Sequence, residues 1–140
     1  MENAFRAHWQ SLGGVVLESQ RYRPEETDFS GTVKKLLNID ASEARRAALE
    51  ARVKTKLEFD PRRRQDVDCI FLAAYPQPGR LIKPQINFYR GLDLPVYATS
   101  HIFAGKADPA NDADLNGIVY GDMPWILVDD GKIRALKDSI

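Results

Sequence analysis

The sequence predicts an α/β fold: a three-layer Rossmann-like lobe with a mainly parallel sheet of about four strands. Three observations predict it. Short apolar runs alternate with stretches of helical periodicity along all 140 residues. The runs Val15-Val16-Leu17 and Cys69 to Ala74 are apolar at successive positions, as in strands covered on both faces. Helical stretches lie between most of the strands, which is what right-handed parallel crossovers need.

Residues 2–12 form the first expected helix. Phe5, Trp9 and Leu12 recur at helical spacing, and Gly13 supplies the stop. Trp9 lies on that stripe and is expected in the core or at a lobe junction. Gly14 opens the first expected strand, Val15 to Tyr22. A polar loop containing Pro24 follows, and Thr27 or Asp28 caps a helix from Phe29 to Ile39. Its stripe is Phe29, Val33, Leu36 and Leu37. A second helical stretch runs from Ser42 to about Leu57 and carries less apolar weight, so it is expected at the periphery. Asp60 to Asp66 is a charged connection. Val67 to Tyr75 is the most continuous apolar stretch and the expected central strand.

Pro76 and Pro78 end that strand, and Pro78 suits the first turn of a helix reaching about Arg90. Leu81, Ile82, Ile86 and Tyr89 are expected to face inward, Pro84 to bend the helix or loosen its first turns, and Gly91 to cap it. Leu94 to Ala98 is a third strand beginning at Pro95. A long loop, Phe103 to Asn116, holds one helical turn near Asp112 to Leu115. Ile118 to Tyr120 is the fourth strand, Asp122-Met123-Pro124-Trp125 leaves the sheet, and residues 131–138 form a last short helix. No repeat or linker divides the chain, so residues 1–140 are one lobe.

Twenty basic residues balance twenty acidic ones. A nucleic-acid surface shows as a basic excess, and an electrostatic membrane anchor does too, so neither partner is expected. The run Arg62-Arg63-Arg64 reads as a solvated loop with counter-charges at Asp60, Asp66 and Asp68. The single cysteine, Cys69, permits no intrachain disulfide and leaves the compartment open. No leader, lipid-anchor motif or membrane-spanning stretch is read. Met1 leads directly into a helical pattern, so the chain is expected to be a piece of a longer one.

No catalytic apparatus is expected. Neither strand-to-helix turn carries the glycines of a dinucleotide or P-loop site. His8, His101 and Cys69 lack the close spacing of a zinc site, and Cys69 reads as a small buried hydrophobe. The acidic stretch Asp108 to Asp114 lacks the glycine and glutamate of a calcium loop and reads as capping and turn chemistry. No metal or cofactor is therefore expected. Ser100 and His101 are neighbours at a strand end and point to opposite faces, poorly placed to share a proton. Their plain reading is a polar strand terminus; their functional reading is a hydrogen-bonding contact in a cleft. Ligands of parallel sheets bind beyond the carboxyl ends of the strands. There the candidate binding residues are Tyr75, Gln77, Ser100, His101 and Asp122, with Trp125 after them.

Several stretches together resemble a known family. They are Ala4-Phe5, Trp9-Gln10 and Gly13-Gly14, then Ile70 to Ala74, and Arg80 to Gln85 with Phe88-Tyr89. The most specific are Leu94 to Ser100, Asp114 to Ile118 and Asp122 to Trp125. The chain resembles the C-terminal domain of the LppC/LpoA lipoprotein family. The resemblance implies the second lobe of a type I periplasmic-binding-protein fold, cut from a two-lobe domain. It implies an outer-membrane lipoprotein facing the periplasm, its lipid anchor absent from this chain. It implies a regulator, not an enzyme, whose full-length parent activates a class A penicillin-binding protein in peptidoglycan synthesis. The face that the other lobe would cover is open to dimerisation. The alternative is a small-molecule-binding lobe like those of periplasmic solute receptors, with Tyr75, Gln77, Ser100, His101 and Asp122 lining half a cleft. A hydrolase using Ser100 or His101 is the third and weakest reading.

Overall fold

The computed structural model describes residues 2–106, 108–127 and 131, with the backbone alone described at Pro124 and Trp125. The helices are α1 (Glu2–Ser11), α2 (Ser30–Leu36), α3 (Ile39–Val53), α4 (Pro76–Ile86), α5 (Pro109–Asp112) and α6 (Pro124–Leu127). The strands are β1 (Ile70–Leu72), β2 (Val96–Ala98) and β3 (Ile118–Tyr120). They form one parallel sheet in the order β1-β2-β3. This is the expected α/β lobe, with three described strands where the sequence suggested about four. The helix expected over 131–138 lies outside the described residues, Gly131 excepted.

The sheet buries one face. Side chains alternate across a strand, and Ile70, Leu72, Val96 and Ala98 point to the side where α2 and α4 lie. Phe29, Val33 and Leu37 of the α2 region, Ile39 of α3, and Ile82 and Ile86 of α4 complete that core. The α2 stripe follows the sequence reading, except that Leu36 is only half-buried. Asp28 holds the start of α2, its carboxylate accepting the Ser30 N–H at 2.9 Å. As expected, α3 is peripheral: Leu49 and Val53 are exposed, and only Ile39 and Ser42 are buried.

The opposite face carries Phe71, Tyr97 and Val119, paired in register and exposed to 36%, 46% and 56%. There α1 contributes one aromatic contact, the Phe5 ring stacked on Phe71 at 4.0 Å between centroids. Trp9 is not the core residue the stripe suggested. Its indole lies over Gly14, where a Cβ would meet Nε1 at 2.2 Å, and it stays 37% exposed. With no residue of α1 fully buried, the helix rests on the sheet rather than filling it.

The strand expected over Val15–Tyr22 is absent: residues 14–22 form no ladder, and Val15 is exposed. The Val16 carbonyl instead accepts the Arg6 guanidinium at 3.4 Å. A gap lined by both segments separates 14–22 from β1. In consequence β1 is an edge strand and β2 the central one, reversing the expected positions.

Three smaller differences have local causes. Pro84 sits inside α4, and beyond Ile86 the backbone kinks out of helical geometry at Tyr89 (φ −86°, ψ 35°) and Arg90 (φ 68°, ψ 24°). Arg90 takes the left-handed conformation (φ +68°) that glycine was expected to supply. Gly91 is required by proximity instead, since a Cβ there would lie 2.6 Å from Ile86 Cγ2 and 2.8 Å from the Ile86 carbonyl oxygen. Leu81, expected to face inward, is 37% exposed. Arg63 and Arg64 are not solvated: Arg63 donates to Asp93 at 2.5 Å and Arg64 to Asp66 at 2.8 Å, with their side chains mostly covered.

Lys83 is the buried cation of α4, its ammonium donating to Asn87 Oδ1 at 2.7 Å. Burial holds its pKa below the usual 10.5. The unfolded chain therefore binds the extra proton over the interval between the lowered and usual values, and stability rises with pH there. Lys83→Met is expected to be more stable by ~1 kcal/mol near neutral pH. That advantage should shrink as pH approaches 10.5, as urea melts at about pH 7 and about pH 10 will read.

Candidate functional site

The carboxyl ends of β1 and β2 open onto a groove of about 820 Å³. One wall is the 13–22 segment with Phe5 and Trp9 of α1; the other is residues 66–75 with Phe29, Val33 and Ile86 beneath. Polar groups gather at the strand-end rim: Tyr22, Tyr75, Thr99 and His101.

Local structure explains each placement. Tyr75 caps the start of α4 in extended conformation, because Pro76 disfavours a helical residue before it. His101 lies in a 3₁₀ turn, Ser100–Ile102, that buries Ile102 and turns the imidazole outward. The two rings meet edge to face, with centroids 5.6 Å apart. The Tyr22 hydroxyl donates to the Ala73 carbonyl at 3.0 Å. Burial, with Tyr75 adding to it, pushes the Tyr22 phenol above its usual 10.0 and keeps it a donor. The Thr99 hydroxyl is buried with no partner among the described residues. Cys69 also lines the groove, half-buried, and burial followed by the Asp68 charge pushes its thiol up.

Of the sequence-chosen residues, the structure brings Tyr75 and His101 together in the groove. Gln77 is exposed on the first turn of α4, Ser100 is half-buried at the start of the 3₁₀ turn, and neither lines the groove. Asp122 is half-buried past β3, where its carboxylate accepts the Met123 N–H at 2.7 Å. Trp125 lies in α6, and its side chain is outside the described residues. Thr99 follows β2 and Tyr22 ends the segment expected as a strand; both fall at expected strand ends but not among the candidate binding residues. Phe5 and Phe29 read as core stripes, and nothing in their spacing separates a groove wall from a core wall.

The acidic stretch 108–114 caps and ties. Asp108 accepts the Asn111 N–H at 3.3 Å, and Asp112 accepts Arg80 at 2.8 Å and the Asp108 N–H at 2.9 Å. Those two bonds, Arg80 the larger, hold the Asp112 carboxyl below the usual 3.8. A carboxyl depressed in the folded state stabilises above its unfolded pKa and loses that contribution as pH falls through the folded value. The stability gap between the wild type and Asp112→Asn is therefore expected to close between about pH 5 and about pH 2 in thermal melts.

The family described as LppC putative lipoprotein matches residues 1–136. A relative named penicillin-binding protein activator LpoA, from Vibrio vulnificus (strain YJ016), is 30% identical over 128 residues, 89% of this chain and 21% of the relative. The protein of that name from Vibrio antiquarius (strain Ex25) is 25% identical over 137 residues, 98% of this chain and 23% of its own length. That from Aliivibrio fischeri (strain ATCC 700601 / ES114) is 24% identical over 143 residues, covering all of this chain and 23% of the relative. This chain thus spans less than a quarter of the curated relatives it matches. No solved structure matches it. With the family match running over nearly its whole length, the chain belongs to the LppC lipoprotein family.

Proposed function

We propose that this chain is one lobe of a two-lobe, non-enzymatic regulator that binds and activates a class A penicillin-binding protein in peptidoglycan synthesis. The observation that carries this reading is the family match over residues 1–136, together with relatives named as penicillin-binding protein activators. Tyr75 and His101 meet through their rings, and the Asp122 carboxylate is engaged by backbone. The full-length protein would act from the periplasm, held at the outer membrane by a lipid anchor. Tyr75, Gln77, Ser100, His101, Asp122 and Trp125 are the proposed contact residues at and beyond the strand ends.

A pull-down of the full-length protein against class A penicillin-binding proteins, with transpeptidase rates measured alongside, tests the reading. Capture and a raised rate are expected. No capture and an unchanged rate would remove it. Replacing Ser100 and His101 together with Ala should leave no hydrolytic activity to lose.

A further inference from the structure

We propose that the pocket between α3 and the connection at residues 58–62 binds a small, singly charged carboxylate through Arg45, Arg62 and Ser42. The pocket measures about 780 Å³ and is lined by Ser42, Arg45, Glu58, Phe59, Asp60 and Arg62. It shares no residue with the strand-end groove. Ligand pockets commonly measure ~300–1,000 Å³. Ser42 is the residue that points to a ligand. It is only 6% exposed. Its N–H is used within α3, donating to the Asn38 carbonyl at 3.4 Å. Its hydroxyl makes no hydrogen bond among the described residues, and Ser42 lines the pocket. Covered polar groups are almost always bonded, so a free hydroxyl at the floor of a pocket marks a place for an acceptor.

Charge decides the class of acceptor. The neighbouring arginines are engaged: Arg46 with Glu50, Arg63 with Asp93, Arg64 with Asp66 and Arg90 with Asp60. Arg45 and Arg62 line the pocket with no ion pair among the described residues. Because Arg90 neutralises Asp60, the pocket's own charges are Arg45, Arg62 and Glu58, a balance of +1. One carboxylate cancels that balance, and its two oxygens match the planar fork of a guanidinium. A phosphate carries about −1.5 to −2 at pH 7, so it overshoots the balance and meets Glu58 as a like charge. Phe59 supplies an apolar wall for the rest of the ligand. Its ring is half-buried and held from one side by the Arg46 guanidinium, 5.3 Å from its centroid.

Calorimetric titration of the 140-residue chain at about pH 7 tests the site, with N-acetyl-alanyl-alanine, its C-terminal amide and inorganic phosphate as the probes. The acid is expected to bind saturably, and the amide and phosphate each about tenfold more weakly or not at all. Arg45→Gln and Arg62→Gln should each weaken the acid about tenfold, and Ser42→Ala about three- to tenfold. Arg52→Gln, on α3 but outside the pocket lining, is the control and should change nothing. Thermal melts separate a binding role for Ser42 from a structural one. A hydroxyl with no bond in the fold leaves the Tm of Ser42→Ala at or above that of the wild type. A lower Tm would mean that the hydroxyl is bonded within the lobe and would overturn the proposal. So would an amide or phosphate that binds as well as the acid, an equal loss in Arg52→Gln, or no saturable binding of the acid.

Discussion

Phe29→Ala is expected to destabilise the lobe by about 3–5 kcal/mol, the range for removing a fully buried phenylalanine. The ring has no solvent exposure and stands at the start of α2, edge-on to Tyr22 with centroids 5.4 Å apart. It shares its core with Val33, Leu37 and the buried face of β1. Its loss opens a cavity that the helix cannot close, because Asp28 and Ser30 hold the start of α2. A single domain is stable by roughly 5–15 kcal/mol, so the variant sits near the unfolding limit at ambient temperature. Urea denaturation with Leu49→Ala as the control decides the matter. Leu49 is 52% exposed, and its truncation should move the midpoint little. Similar midpoints for the two variants would place Phe29 outside the core and remove the groove's inner wall with it.

Gly91→Ala comes next, with an expected loss of about 1–3 kcal/mol from overpacking. The new methyl would meet the Ile86 Cγ2 at 2.6 Å and the Ile86 carbonyl oxygen at 2.8 Å. The side-chain contact can relax by a rotamer change. The carbonyl contact cannot, because it belongs to the backbone at the end of α4. Gly31→Ala supplies the opposite sign. A Cβ at Gly31 has nothing within 4 Å and lies inside α2, so alanine should stabilise by ~0.5–1 kcal/mol through helix propensity. Thermal melts of the two variants should move to opposite sides of the wild type. Two shifts of the same sign would contradict the turn geometry at residues 87–91.

Much of the lobe was readable one segment at a time. Phe29, Val33 and Leu37 fall on one side of a helix by spacing alone, and all three are buried. Pro76 and Pro78 stop one strand and start α4 as proline geometry requires. Val96 to Ala98 and Ile118 to Tyr120 form strands where short apolar runs stood. The errors share one origin. Val15-Val16-Leu17 has the composition of a buried strand but joins no ladder among the described residues, and Trp9 lies over Gly14, partly exposed, while Phe5 of the same stripe stacks on Phe71. Tyr75 and His101 were legible as neighbours because each ends a strand of one parallel sheet. The Tyr22 hydrogen bond to Ala73 was not, since it spans 51 residues.

By itself, the sequence determined the α/β order of elements, the parallel direction of the strands, the buried stripes of α2 and α4, and membership of the lipoprotein family. Those properties follow from residues near one another in the chain, where spacing sets the face a side chain occupies. Only the tertiary structure decided that β1 is the outer strand of the three described, that Phe71 turns its backbone away from β2, and that the Arg63 and Arg64 side chains are mostly covered while paired with exposed aspartates. Each of these depends on which distant segment lies alongside, and a strand's own residues look alike whether its neighbour is present or missing.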